Sequence, residues 1–229
     1  MSLDEFNGEL TNPIRPNYSK PWGVRGKIAP QTTINHAKLN ETILALVQYH
    51  VPAPAKILDP TCGVKDYQFS HYWWKKQELY EITRNDLKDT KLQTVRSSLY
   101  NLPFREAFDG IVYDPPFILY TSTDNDKRAA QYGQDLLLTR AAIYAFYGEL
   151  AYKSFAGALK PGGVLISRGQ DNYFGEEFVP FMSMQKYDAY FRAVALYVYH
   201  VWHEGIVSQR RVRKRPVVDH SYFFVLKKI

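Results

Sequence analysis

The sequence predicts a three-layer α/β sandwich around a mainly parallel sheet whose last strand runs antiparallel. Three observations carry this. Short apolar runs alternate with helical stretches, as in strands covered on both faces and joined by crossovers. Those runs are Lys56-Ile57-Leu58, Leu79-Tyr80-Glu81-Ile82, Gly110-Ile111-Val112-Tyr113 and Val164-Leu165-Ile166-Ser167. Two of them stop at turn-forming pairs, Asp59-Pro60 and Asp114-Pro115. The final two strand-like runs, 194–201 and 221–226, lie too close together for a helical crossover, so they pair antiparallel.

The elements follow in order. Residues 1–34 are polar and interrupted by Pro13, Pro16, Pro21 and Pro30, which predicts an extended arm rather than a folded unit. Residues 35–229 form the domain. It opens with a helix placing Leu39, Ile43, Leu46 and Val47 on one face, ended before Pro52 and Pro54. A helix is expected over 64–75, and a weak strand at Gln93-Thr94-Val95-Arg96. A long amphipathic helix is expected over 134–159, stopped by Lys160-Pro161-Gly162-Gly163, and a further helical stretch over 176–191.

Composition bounds the function. The chain has 229 residues, 45% hydrophobic and 23% charged, enough for one sizeable core and incompatible with disorder as the main state. It has one cysteine, which excludes an internal disulfide and a Cys-rich zinc site. His200 and His203 stand three apart on a predicted strand, facing opposite sides, so no metal pair is expected. No apolar run reaches the roughly 18 residues of a membrane span, and the first ten residues carry acids where a signal peptide carries bases. A cytoplasmic protein without membrane contact is expected. The net charge of +6 is concentrated at Arg210, Arg211, Arg213, Lys214 and Arg215, leaving +1 for the rest. With aromatics at 15%, that cluster fits a nucleic-acid partner, although a solvated loop has the same composition.

In an open parallel sheet, ligands bind beyond the carboxyl ends of the strands. Four segments fall there: Asp59-Pro60-Thr61-Cys62-Gly63, Thr83-Arg84-Asn85-Asp86, Ser97-Ser98-Leu99 and Asp114-Pro115-Pro116-Phe117. In the first, Gly63 lets a ligand approach the backbone. The turn lacks the further glycines of a dinucleotide fingerprint and is no P-loop. Asp86 either accepts hydrogen bonds from ribose hydroxyls or caps a helix. In the fourth, two prolines stiffen the backbone and remove amide donors, leaving a carboxylate and carbonyls as acceptors beside an aromatic ring. That set suits a planar amino group on a heterocycle, while a purely structural Asp-Pro-Pro turn remains the competing reading.

On these residues the sequence resembles the amino-group methyltransferases of the class I S-adenosylmethionine-dependent superfamily. Ile57–Gly63 resembles their cofactor turn, the run 108–117 their fourth strand and catalytic quartet, and the run 159–166 the helix-turn-strand that follows. Gly169-Gln170-Asp171 and the run 220–225 are similar to a small, phage-like branch. The resemblance implies a Rossmann-like, seven-stranded sheet and S-adenosyl-L-methionine as cofactor. Asp114, Pro115, Pro116 and Phe117 would hold the target amine and ring. Asp59, Pro60, Thr61, Cys62 and Gly63 would bind the cofactor, with Asp86 at its ribose and Ser98 and Leu99 near its adenine. The sequence departs from the family at Val64-Lys65, where a second small residue is usual, and at Ser97-Ser98, where an acid is common.

The implied reaction is methyl transfer to an exocyclic amine of a nucleic-acid base, with adenine N6 in DNA favoured over RNA. Arg210, Arg211, Arg213, Lys214 and Arg215 would hold phosphates, and 118–133 would close over the substrate. No segment is long enough for a recognition domain, so short loops, the arm, a partner subunit or a homodimer would supply specificity. Two rivals stand: methylation of a glutamine amide in a protein, against which Asp114 and the basic loop count, and a non-catalytic nucleic-acid-binding subunit.

Overall fold

The computed structural model describes residues 33–35, 39–63, 73–76, 78–87, 92–115, 140–174, 177–200 and 220–229. Helix α1 (Leu39–His50) buries Leu39, Thr42, Ile43, Leu46 and Val47 along one stripe, the spacing expected of a helix lying on a sheet. Strand β2 (Ala55–Asp59) follows, then β3 (Tyr80–Asp86), the two-residue β4 (Val95–Arg96) and β5 (Phe108–Tyr113). Helices α2 (Arg140–Tyr147) and α3 (Glu149–Ala158) lead into the long β6 (Leu159–Gly169). A small hairpin, β7 (Asn172–Phe174) and β8 (Glu177–Val179), precedes β9 (Phe191–His200) and β10 (His220–Lys228).

The large sheet has the order β9-β10-β6-β5-β2-β3-β4. Neighbours are parallel except around β10, which is antiparallel to both β6 and β9. This is the Rossmann-like, seven-stranded arrangement with an antiparallel last strand that the sequence predicts. An eighth strand, β1 (Thr33–Asn35), extends it, pairing parallel with Val198–His200 of β9. Because β9 is parallel to β6, its carboxyl end emerges on the same edge as those of β2, β5 and β6. His200 and His220 are paired across β9 and β10, so the connection carrying the five basic residues starts and finishes on that edge. Its own residues, 201–219, lie outside the described residues, as do the arm up to residue 32, the segment 64–72 and the stretch 116–139.

Two cores sandwich the sheet. On one face Leu58, Ile111, Tyr113, Leu165 and Phe224 pack against Tyr147, Tyr152 and Phe155 of α2 and α3. On the other, Ile57, Val112, Ile166, Phe223 and Val225 pack under Ile43, Leu46 and Val47 of α1. The alternation along β5 decides which way its end points: Ile111 and Tyr113 face α2 and α3, Val112 faces α1, and the next residue on the α1 face is Asp114. No described helix is long and apolar enough to cross a membrane.

Two helical expectations are corrected. Within the helix expected over 134–159, the described part breaks at Gly148, whose φ of −148° and ψ of −116° are not helical. A Cβ there would lie 2.6 Å from the Met184 carbonyl and 2.8 Å from that of Tyr144, so the close approach of a neighbouring segment takes the position glycine alone can occupy. The stretch 176–191 is not a helix. It holds β8, a single 3-10 turn (Phe181–Met184) and a loop into β9, because Pro180 sits in the extended region and the Phe181 amide donates to Asp171 Oδ1 at 2.7 Å. Strand β6 also begins earlier than expected. Gly162, at φ +72°, accommodates the register shift that sets Leu159 opposite Phe108 and Val164 opposite Gly110.

Gly169 closes β6 directly under the Phe181 ring, which a Cβ at this position would strike. That ring stacks on Tyr222 at 5.8 Å, which blocks retreat on that side. Gly169→Ala is expected to lower stability by about 1–3 kcal/mol, read as a shift of the urea midpoint at unchanged slope. A wild-type midpoint would show that the ring moves freely.

Candidate active site

The candidate residues at the ends of β2, β3 and β4 are bound into one cradle by Asn85, which is fully buried. Its side-chain amide donates to the carbonyls of Pro60 (3.1 Å) and Ser97 (3.0 Å), and its Oδ1 accepts from the Ser97 hydroxyl at 2.7 Å. Its own carbonyl accepts the Cys62 amide at 3.1 Å. One side chain thus spaces three strand ends. The sequence placed Asn85 in a ligand-side segment but gave it no role, although a polar residue inside an otherwise strand-like run was the available signal. Asn85→Ala would leave the Pro60 and Ser97 groups without this partner, and an expected loss of roughly 2–3 kcal/mol follows. Thermal and urea unfolding check it, and a loss under 0.5 kcal/mol would show that water replaces the amide.

Within the cradle, the Gly63 amide donates to Asp86 Oδ2 at 3.1 Å, and Gly63 itself adopts φ +72°. That left-handed conformation is the physical reason for glycine there. Asp86 therefore holds the turn after β2 as well as standing where a ribose acceptor was expected. Cys62 is buried, and its thiol lies 3.8 Å from the Gly63 carbonyl. Thr61 Oγ1 is buried with no hydrogen-bond partner among the described residues. Ser98 is used locally: its hydroxyl accepts the Tyr100 amide at 3.3 Å. Leu99 packs on the core that covers α2 and α3.

Asp59 is only 6% exposed. Its Oδ1 accepts the Thr61 amide at 3.3 Å and its Oδ2 the indole Nε1 of Trp74 at 3.2 Å. Burial pushes its carboxyl up to about 7, the two hydrogen bonds oppose this, and the neighbouring charges of Asp114 and Asp86 add to it. Three carboxylates thus converge along the ends of β2, β3 and β5.

Asp114 stands beside Arg168 at the end of β6. The register explains the meeting, since Tyr113 pairs with Ser167 and the next residue on each strand turns to the α1 face. Nη1 of Arg168 donates to Asp114 Oδ1 at 3.1 Å and lies 3.5 Å from Oδ2. Its Nε donates to the Ser221 hydroxyl at 3.2 Å. The guanidinium carbon sits 5.8 Å from the ring centres of both Tyr199 and Phe223. Arg168 escaped the sequence reading because nothing local to β6 shows that Asp114 will be its neighbour. Pro115 is buried. Pro116, Phe117 and the five basic residues fall outside the described residues.

A second polar group lies on the opposite face. Asp171 Oδ2 accepts from the Tyr222 hydroxyl (2.9 Å) and lies 3.2 Å from His220 Nε2. Burial and the Asp171 charge push the Tyr222 phenol up to about 12. With Asp171 Oδ1 bound to Phe181, this group fastens the hairpin segment to the sheet.

The donor set fits S-adenosyl-L-methionine. The carboxylates of Asp59, Asp86 and Asp114 at these strand ends offer acceptors for a cationic sulfonium and ammonium, with Arg168 beside Asp114 and Arg84 opposite Asp59 in the register. The orphaned Thr61 hydroxyl and a glycine backbone supply the close polar contacts. Among the described residues no cluster could hold a metal ion.

Fold and strand-end site together define a Rossmann-like α/β protein with the architecture that the class I methyltransferase resemblance implied. No family profile matches the sequence, and no curated protein does. Solved structures of similar fold include the N-methyltransferase NodS from Bradyrhizobium japonicum, at 11% identity over 82% of this chain and 93% of that one, with a TM-score of 0.49. The 1,6-didemethyltoxoflavin-N1-methyltransferase from Burkholderia thailandensis, crystallised with S-adenosylhomocysteine, gives 13%, 82%, 77% and 0.45. TrmN from Thermus thermophilus gives 16% identity over 90% of this chain and 50% of its own, with a TM-score of 0.47. Likeness at this level is one of chain path.

Proposed function

We propose that this protein transfers a methyl group from S-adenosyl-L-methionine to an exocyclic amino group of a nucleic-acid base, adenine N6 in DNA being favoured. The observation that carries the reading is Asp114: a carboxylate acceptor just past the end of β5, paired with Arg168, on the sheet edge and face that also hold the Asp59 cradle.

The bound cofactor supplies an electrophilic methyl group. The chain's own residues do the rest. Asp59, Thr61 and Gly63 would meet the cationic end of the cofactor, with Asp86 fastening the turn. Asp114 accepts an N–H of the target amine, which draws the nitrogen lone pair out of conjugation and opposes the positive charge that develops on nitrogen. Holding amine and donor in line supplies most of the remaining rate. A base in a duplex would have to leave the stack to reach this edge. Arg210, Arg211, Arg213, Lys214 and Arg215, in a connection whose two ends both stand on this edge, would grip the backbone, so binding should weaken steeply with salt.

Calorimetric titration with S-adenosylmethionine and S-adenosylhomocysteine, followed by methyl incorporation into unmodified DNA and RNA, tests the proposal. Micromolar cofactor binding with label in DNA supports it. Label in RNA alone moves the substrate to RNA. Polynucleotide binding without cofactor affinity overturns the enzyme and leaves a non-catalytic subunit.

A further inference from the structure

The end of the sheet holds an unequal pair of acids. Asp59 and Asp114 stand on the same face at the ends of adjacent strands, and their charges oppose one another. Two neighbouring carboxylates in a poorly solvated place do not both ionise readily, and one of them takes up a proton unless a cation intervenes. Asp114 serves as an acceptor for an amine N–H only if its oxygens are aimed at the strand end.

The cation is Arg168. Its side chain is 12% exposed and that of Asp114 is 17% exposed, so the pair is largely shielded from solvent. Its guanidinium is held from three sides. Nη1 reaches the Asp114 carboxylate, Nε reaches the Ser221 hydroxyl on β10, and the plane lies near Tyr199 of β9 and Phe223 of β10. A flexible ammonium could satisfy the charge but not all of these contacts. Among the described residues, Asp59 on β2, Arg168 on β6 and Tyr199 on β9 interact with Asp114, and Asp86 on β3 stands beyond Asp59.

We propose that Arg168 is the positioning residue of the candidate active site: its guanidinium, held between Asp114, Ser221, Tyr199 and Phe223, fixes the direction in which the Asp114 oxygens point. The consequence for catalysis rests on the methyl-transfer reading, whereas the positioning of Asp114 does not.

The test uses the full chain. Wild type, Arg168→Lys and Arg168→Met are compared. Arg168→Lys keeps the charge but not the planar fork, and it should lower kcat for methyl transfer at every pH with KM for the polynucleotide little changed. Full kcat in Arg168→Lys overturns the proposal, and this variant also serves if the methionine variant does not fold. The carbon-13 resonance of the Asp114 carboxyl at one pH, identified by its loss in Asp114→Asn, should move in Arg168→Met, and an unmoved resonance overturns the proposal. Should no polynucleotide be methylated by the wild type, the methyl-transfer reading fails, and the resonance still decides whether Arg168 positions Asp114.

Discussion

Asp114→Asn is expected to lower methyl transfer by about 10²–10³-fold while leaving affinity for S-adenosylmethionine and for polynucleotide within a few-fold of wild type. The factor is that of removing one preorganised electrostatic contact from a charge-developing centre. Asparagine keeps the shape and one acceptor oxygen but removes the charge that faces both the amine and Arg168. The more common alanine scan would confuse the result. Removing the carboxylate altogether strands a guanidinium that is 12% exposed, and breaking such a shielded pair costs about 3–5 kcal/mol. Lost activity in Asp114→Ala could then be lost folding. Single-turnover transfer alongside calorimetry separates the two. Full activity in Asp114→Asn would show that the amine is held elsewhere.

The second large effect is a pH dependence of cofactor binding. Asp59 is protonated below about 7 in the folded chain because burial disfavours its charge. A cation entering the cradle favours the ionised form, so binding expels a proton at acid pH. Affinity for S-adenosylmethionine should rise by up to about tenfold per pH unit below 7 and level off above it. S-adenosylhomocysteine, whose sulfur is neutral, should show a shallower rise. Asp59→Asn should bind with no such slope. Calorimetry in buffers of different ionisation enthalpy counts the protons directly, and a flat profile from pH 5.5 to 8 would show that Asp59 does not meet the ligand's charge.

The same group affects stability with a definite sign. Its value in the folded state is raised above the ordinary 3.8. Its contribution is therefore fully present below 3.8 and is lost as pH rises through about 7. Asp59→Asn should be more stable than wild type at pH 8, by at most about 4 kcal/mol, and no more stable at pH 4. Thermal unfolding at the two pH values reads this difference.

The strands were legible because parallel strands buried on both faces must be apolar throughout, and β2, β5 and the second half of β6 satisfy that requirement in the sequence. The antiparallel pairing of β9 with β10 was legible from chain length alone. The helix expected over 176–191 was not a helix because its apolar residues at Val179, Phe181 and Met184 mimic a helical spacing, while the hydrogen bond that captures Phe181 comes from Asp171, ten residues away. Gly148 carried no local warning either, since the carbonyl that crowds it belongs to Met184.

The candidate site divides in the same way. Asp59, Gly63, Asp86 and Asp114 were found because strand ends in a parallel sheet are where ligands bind, and a sequence displays its strand ends through Asp-Pro and glycine turns. Asn85 lay inside a selected segment without a role and Arg168 was not singled out, since neither acts on its sequence neighbours: one ties β2 to the chain beyond β4, the other reaches from β6 to β5, β9 and β10. The sequence by itself determined the layered sheet, its antiparallel last strand and the edge on which chemistry would sit, because periodicity and turn residues are local properties. Only the tertiary structure decided that Asp114 faces an arginine and that Asp59 is buried beside it. Those facts depend on register and burial between strands far apart in the chain, and no local pattern encodes them.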